Sequence, residues 1–350
     1  MKFGICVMPD VRETAFYARA EQLGYDSVWV TDSQMLYSDC YAALALAANT
    51  TTRIRLGPGV AVAPTRIAPV QAAAIATINR LAPGRVFLSV GTGNTAMRSM
   101  GAKPMLIKDF REYLRTLRGL IDGDTVSATI QGQERALKIL MHDTEYMDLE
   151  PRIPLYVSGF GPRSMGLAGE FGDGLVYALP PRGLEPRDAL KATNLPPERL
   201  ADFRSCALAN IVIVDPGEPL TSDRIIEQIG PNVMATVYYF YDYVHERGVD
   251  PPDFLKPIWK RYCDLVEQVP AEHRHHRTHE FHYTRLHPHE AELITEEMIR
   301  ATCIAGTADE VLEQVRDWAA QGLEEVMWAT GTAEKWPMME RFARDIIRRI

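Results

Sequence analysis

The chain has 350 residues, 46% of them hydrophobic and 24% charged, the profile of an ordinary globular protein. Thirty-eight Lys and Arg against 46 Asp and Glu give a formal charge of −8, which argues against a nucleic-acid groove or an anionic membrane surface as the main partner. No apolar run approaches the ~18 residues of a membrane span, and the short apolar start before Asp10 and Arg12 does not read as a secretory signal. The five cysteines, Cys6, Cys40, Cys206, Cys263 and Cys303, are odd in number and widely scattered. That disfavours a disulfide framework and fits a reducing cytoplasm.

Two periodicities alternate along the first 180 residues. Residues 2–8 (KFGICVM) read as a buried strand, and 12–24 as an amphipathic helix closed by Gly24. Strands follow at 26–31, 53–60 and 85–91, with helices at 41–50, 69–81 and 108–121 between and after them. The 69–81 helix opens on a proline, where the missing N–H costs little. Residues 124–152 read as an irregular insertion containing a hairpin. Strands resume at 154–158, 174–178 and 205–214, with a small-residue helix over 162–171. A long, mainly helical stretch, the second insertion, occupies about 216–300. A helix at 309–321, a strand at 324–329 and a helix at 334–350 end the chain.

Eight strands separated almost throughout by helices imply parallel pairing and predict a closed (β/α)8 TIM barrel. The reading is one domain over 1–350, with a large helical insertion before the last strand. An open doubly wound sheet would place a glycine-rich turn after the first strand, and MPDVRETA has none.

Barrel chemistry sits at the C-terminal strand ends. The second strand ends in Thr31-Asp32-Ser33, the third in Gly57-Pro58-Gly59-Val60, the fourth in Gly91-Thr92-Gly93-Asn94 and the fifth in Ser158-Gly159-Phe160-Gly161-Pro162. Small and polar residues at four successive tips suit a flat cofactor lying against backbone. The fifth tip runs straight into a helix, so its amides attract a phosphate, with Arg163 and Ser164 as further donors; a tight strand–helix turn is the plainer reading. Gly57–Val60 reads as a bulge or a close backbone approach. Asp32 reads as a ligand contact or a cap, and Asn94 as turn chemistry.

Seven of the nine histidines lie within 273–289. His279 and His282 stand three apart and could share a metal on one helix face, which supplies the alternative of a metal-dependent hydrolase. No HExxH and no cysteine accompany them. A lid carrying an acid or base is the more plausible role. The aromatics Tyr238, Tyr239, Phe240, Tyr241 and Tyr243 read as packing, with a substrate pocket or subunit interface as the functional alternative.

At these residues the sequence resembles the bacterial luciferase-like superfamily of flavin- and deazaflavin-dependent oxidoreductases. The carriers are MKFGI, Val28–Asp32, Ile54–Val60 with Pro64 and Arg66, Gly84-Arg85, Gly91-Thr92-Gly93, Gly172-Asp173-Gly174 and Ala305–Val311. The N-terminal half is most similar to methylenetetrahydromethanopterin reductase, which uses coenzyme F-420. Residues 181–301 carry no motif of the group.

The resemblance implies a (β/α)8 barrel, usually dimeric, with its large insertion over the site. It implies a non-prolyl cis peptide at Gly59–Val60 against the cofactor ring, Asp32 and Thr92 lining the ring, and the phosphate on Ser158, Gly159, Phe160 and Gly161. The expected chemistry is oxygen insertion into a small organic substrate by reduced FMN, with a separate flavin reductase as partner. The alternative is hydride transfer with F-420. Many members carry a histidine where this chain has Ser33, and sugar-phosphate dehydrogenases carry a glutamate where it has Asn94. Sugar-phosphate oxidation is therefore not expected. The acid/base group falls to Asp32, to Tyr177 at the sixth strand's end, or to a histidine of the 273–289 tract such as His282.

Overall fold

The computed structural model describes residues 1–142 and 144–350, so one position of the 124–152 insertion lies outside the described residues. The barrel strands, first to eighth, are Lys2–Val7, Ser27–Val30, Arg55–Pro58, Leu88–Gly91, Leu155–Ser158, Gly174–Ala178, Arg204–Ala209 and Glu325–Thr330. All pair in parallel, each with its neighbour in sequence, and the eighth pairs back onto the first. The ring closes through the third strand, which is split. Arg55–Pro58 pairs with the second strand, and Ala61–Val62 continues it against the fourth. Between the two halves lies a cis Gly59–Val60 peptide. The TIM barrel read from the alternation of periods is present.

Side-chain parity sorts the strands into two layers. Phe3, Ile5 and Val7, Val28 and Val30, Leu155 and Val157, and Leu175 and Tyr177 point outward into the main core beneath the helices. Cys6, Trp29, Phe87, Tyr156, Val176, Cys206 and Met327 point inward. The inner set blocks the bottom of the barrel. Trp29, Phe87 and Tyr156 pack with ring centroids 4.3 and 5.4 Å apart in sequence, and the Arg55 guanidinium lies over Phe87 while donating to Tyr156 Oη at 2.5 Å.

Glu325 completes this plug. It is 2% exposed, accepts from Trp29 Nε1 at 2.8 Å and from Ser27 Oγ, and lies 3.9 Å from Arg55. Gly4 makes the room, since a Cβ there would meet Ser27 Oγ, Glu325 and Trp29 Nε1 at 2.5–2.6 Å.

Two predicted strands end differently from expectation. The 53–60 strand breaks at Gly59. The 205–214 strand breaks at Asn210, beyond which Ile211–Ile213 leaves the barrel and pairs with Ile304–Gly306. Asn210 enforces the change: its side chain donates to Thr302 O and accepts from Asn232, and its carbonyl accepts from Ile304 N. The hairpin of the first insertion is Val126–Ile130 with Gln133–Leu137. Gln131 and Gly132 between them both have positive φ, as a two-residue primed turn requires.

The second insertion contains the 25-residue helix Asp223–Arg247, then Lys256–Glu267, Arg274–His279 and Glu296–Thr302. It has its own apolar core, built on Ile225, Ile229, Val233, Tyr262 and Met298. Glu290, fully buried, ties the histidine tract to the long helix by accepting from Tyr238 Oη at 2.7 Å and from His287 N and pairing with Arg277 at 3.0 Å. Among the described residues no helix is long and apolar enough to cross a membrane.

Removing Glu325 leaves Arg55 without its carboxylate inside the plug. Glu325→Ala is expected to cost about 3 kcal/mol, at the low end for a broken buried pair because Arg55 keeps Tyr156. The measurement is the shift in urea unfolding midpoint at unchanged slope.

Candidate functional site

A cavity of about 340 Å3 opens at the C-terminal end of the barrel. Asp32, Gly59, Val60, Thr92 and Ser158–Gly161 all line it, as does His282. These come from the second to fifth strand tips and from the second insertion, so the tips read separately in the sequence do converge. The floor is apolar: Cys6, Met8, Val176, Leu208, Met327 and Ala329.

The broken third strand is held on every side. Gly59 N donates to Val30 O at 2.7 Å, Ser89 Oγ donates to Pro58 O, and Cys6 Sγ approaches Gly59 O at 3.9 Å. Burial pushes the Cys6 thiol up to about 12, so it is a neutral wall rather than a nucleophile. Past the break, Val62 N donates to Asp32 Oδ2 at 3.1 Å. Arg66 pairs with the same oxygen at 2.5 Å, reaches Asp39 at 3.2 Å and lies over the Tyr41 ring. Asp32 is thus committed to holding the strand, and Oδ1 is what it can offer a ligand.

Space at the tips is close. A Cβ on Gly91 would lie 2.9 Å from Val60 Cγ2 and 3.2 Å from Ser158 Cβ. At the fifth tip, Gly159 N donates to Val176 O, while Ser164 N and Met165 N both reach Gly161 O. Among the described residues the Phe160 and Arg163 amides are left without a partner, at the start of the ten-residue helix Pro162–Phe171. A Cβ at Gly161 would meet nothing within 4 Å. Free amides, a helix start and open space suit a phosphate.

The roof comes from the second insertion. The His282 Nε2 is 3.4 Å from Thr95 Oγ1, and the His282 carbonyl accepts from Tyr37 Oη. Burial first, then the nearby charges of His279 and Arg182, hold its pKa well below the ordinary histidine value. It is therefore a neutral imidazole at neutral pH. His279, 2% exposed, also lines the cavity, with Nε2 3.2 Å from Asp242 Oδ2. Arg98 clamps the roof to the fourth-strand loop: it donates to Asn94 Oδ1 at 3.0 Å and forms a bidentate pair with Glu246 at 2.6 and 2.8 Å. Asn94 is thereby a tether as well as a turn residue.

Tyr177 borders the cavity at its strand end, while its side chain packs in the outer layer, opposite Ala207 and alternate to inward Val176. Burial raises its phenol well above the usual value, so it stays protonated.

The histidine tract divides in the same way. Two of its seven histidines reach the cavity, and among the described residues no three His, Cys, Asp or Glu side chains are grouped to hold a metal. The metal-hydrolase alternative has no ligand set. Of the aromatic cluster, Tyr238, Phe240 and Tyr241 pack in the insertion's core, and Tyr239 alone lines the cavity.

Arg182, Thr95, Tyr37 and Asp242 escaped the sequence reading. Arg182 follows the sixth strand within PPRG, so reading the sixth tip as closely as the second to fifth would have raised it. The others face the site only through tertiary packing.

The sequence profile of the luciferase-like monooxygenases matches residues 1–325, and the chain belongs to that family of oxidoreductases. Among curated relatives, 5,10-methylenetetrahydromethanopterin reductase of Archaeoglobus fulgidus is 35% identical over 195 residues, a match covering 53% of this chain and 55% of that protein. The chain thus spans about half the length of such relatives. The F420-dependent glucose-6-phosphate dehydrogenase of Amycolatopsis mediterranei is 26% identical over 97% of this chain and 94% of its own length. Among solved structures, the coenzyme F420-dependent tetrahydromethanopterin reductase of Methanopyrus kandleri has the same fold, with TM-score 0.70, 20% identity and 99% of both chains covered. The oxygenating constituent of 3,6-diketocamphane monooxygenase from Pseudomonas putida, in complex with FMN, shares it at TM-score 0.59 and 16% identity, covering 100% of this chain and 99% of that one.

The depressed His282 pKa has a stability consequence. Below the ordinary value of about 6.5 the unfolded chain takes up a proton that the folded one refuses, so the stability this group contributes above that pH is lost as pH falls. His282→Gln is expected to flatten the decline in unfolding free energy between pH 7 and 5 by up to one proton of linkage. Superimposable wild-type and variant profiles would refute it.

Proposed function

We propose that this enzyme transfers a hydride between coenzyme F-420 and a small organic substrate in the 340 Å3 cavity. The observation that carries the reading is the fifth strand tip: open space at Gly161, on the wall of the cavity, beside a helix start whose Phe160 and Arg163 amides have no partner among the described residues. Both curated relatives described above are F-420 or methanopterin enzymes by name, which favours the deazaflavin over FMN.

The residues fit such a group. Ser158, Gly159, Phe160 and Gly161 would hold its phosphate, and Gly59, Val60, Thr92 and Asp32 would border its ring. When bound, the deazaflavin supplies or accepts a hydride. The protein does the rest. The apolar floor excludes water beneath the reacting atoms. His282 Nε2, neutral and beside Thr95, can accept a hydrogen bond from a substrate hydroxyl and orient its carbon for loss of hydride. Asn94, held by Arg98, stands where the resemblance puts a glutamate in sugar-phosphate enzymes, so glucose 6-phosphate is not the expected substrate.

A second reading, oxygen insertion with reduced FMN, is favoured by two observations. The diketocamphane enzyme with FMN aligns over the full chain, and Ser33 replaces the histidine of many relatives. Absorbance titration with F-420 and, separately, FMN decides between them.

Gly161 supplies the sharper test. Its φ of −137° and open surroundings accept a side chain, and aspartate is a favourable helix cap. Gly161→Asp is therefore expected to keep or raise the melting temperature while weakening cofactor binding roughly a hundredfold, by setting a carboxylate against the phosphate. Gly161→Ala should bind normally. Equal affinity of the aspartate variant and the wild type would overturn the phosphate assignment.

A further inference from the structure

Arg182 stands where two cavities meet. It lines the barrel-mouth cavity and also a second, of about 450 Å3, outside the seventh strand; Leu208 is the other residue they share. The loop that presents it is tight, because a Cβ at Gly183 would run into the carbonyl of Ala178. Arg182 Nη2 donates to Tyr283 Oη at 3.0 Å. Among the described residues it is in no ion pair, whereas Arg66, Arg98 and Arg277 around the same cavity are each paired with a carboxylate.

Arg182 is also the one Lys or Arg lining the barrel-mouth cavity among the described residues. The one carboxylate lining it, Asp32, is already engaged by Arg66 and Val62. In the second cavity Glu310 is engaged by Thr307, and Glu185 faces solvent. A guanidinium held beside neutral aromatic and imidazole groups has donors to spare and a charge unbalanced by the protein.

We propose that Arg182, with the Tyr283 hydroxyl, is the anchor for a carboxylate on the substrate, so that the substrate class is a small organic acid whose apolar body lies on the Met8–Val176–Met327 floor. The planar fork of arginine matches a carboxylate, and one guanidinium balances one negative charge. A phosphate at this end of the cavity, with nearly two, would leave about one charge unmatched by Arg182. The anchor lies beside His282, whose ring is 4.9 Å from that of Tyr283.

This deepens the hydride-transfer reading and rests on the cavity being its active site. The test is calorimetric binding of benzoate, its neutral counterpart benzamide, and inorganic phosphate. Each is titrated into the whole protein with and without F-420 or FMN. Wild type is expected to bind benzoate at least roughly tenfold tighter than benzamide. Arg182→Met should erase that preference, Arg182→Lys should restore part of it, and both variants should keep wild-type melting temperature and cofactor affinity. Equal binding of benzoate and benzamide by wild type would overturn the proposal. So would a preference for phosphate over benzoate once the cofactor fills the 158–161 cradle, or an Arg182→Met variant that loses cofactor and keeps benzoate. Retained benzoate preference in a protein that binds neither cofactor would support the anchor and refute the redox reading, so the two fail separately.

Discussion

The architecture of the site depends on a strand that cannot pair continuously. The third barrel strand gives its first half to the second strand and its last two residues to the fourth, and the Gly59–Val60 break between them is what the Asp32 carboxylate stabilises. Without Asp32 and Arg66 on the far side of the break, the Ala61–Val62 segment would lack the contact that fixes its register. Leu56 still bonds to Arg85 and Phe87, so the ring stays closed below the break, and the ion pair, of low exposure, fixes the shape of the cavity wall above it.

Opposite this wall, charge is used to hold rather than to react. Glu290 binds the histidine tract to the long helix, and Arg98 binds that helix to the fourth-strand loop. Both joints place His279 and His282 over the mouth. The tract is thus less a loose flap than a packed ceiling, two of whose histidines look down into the cavity. The imidazole of His282 is neutral for the same reason that it is well placed, since both follow from its burial.

Much of the barrel was legible because its signals are local. Alternating short apolar strands and amphipathic helices fix the element order, and glycine and small residues mark the tips. The departures arise where a side chain acts across the fold. Nothing local in NIVIV says that Asn210 will turn its strand toward Ile304, because its partners Thr302 and Asn232 are distant in sequence. Tyr177 shows what sequence position leaves open: a strand end borders the mouth, but parity decides which way the ring goes. Arg182 shows the converse, a residue passed over because the sixth tip has no glycine signature. The convergence of the tips on one cavity was readable, since small residues mark the strand ends. The ceiling was not, because any apolar helix pair packs.

The cradle and the ceiling also come from different stretches of chain. Strand tips between residues 30 and 161 line one side of the cavity, while the ceiling is contributed by residues 235–283, with an apolar core of its own. Diversification within such a lineage has a ready seam. The helical segment can change the roof of the cavity while the ring of strands beneath it keeps its own core.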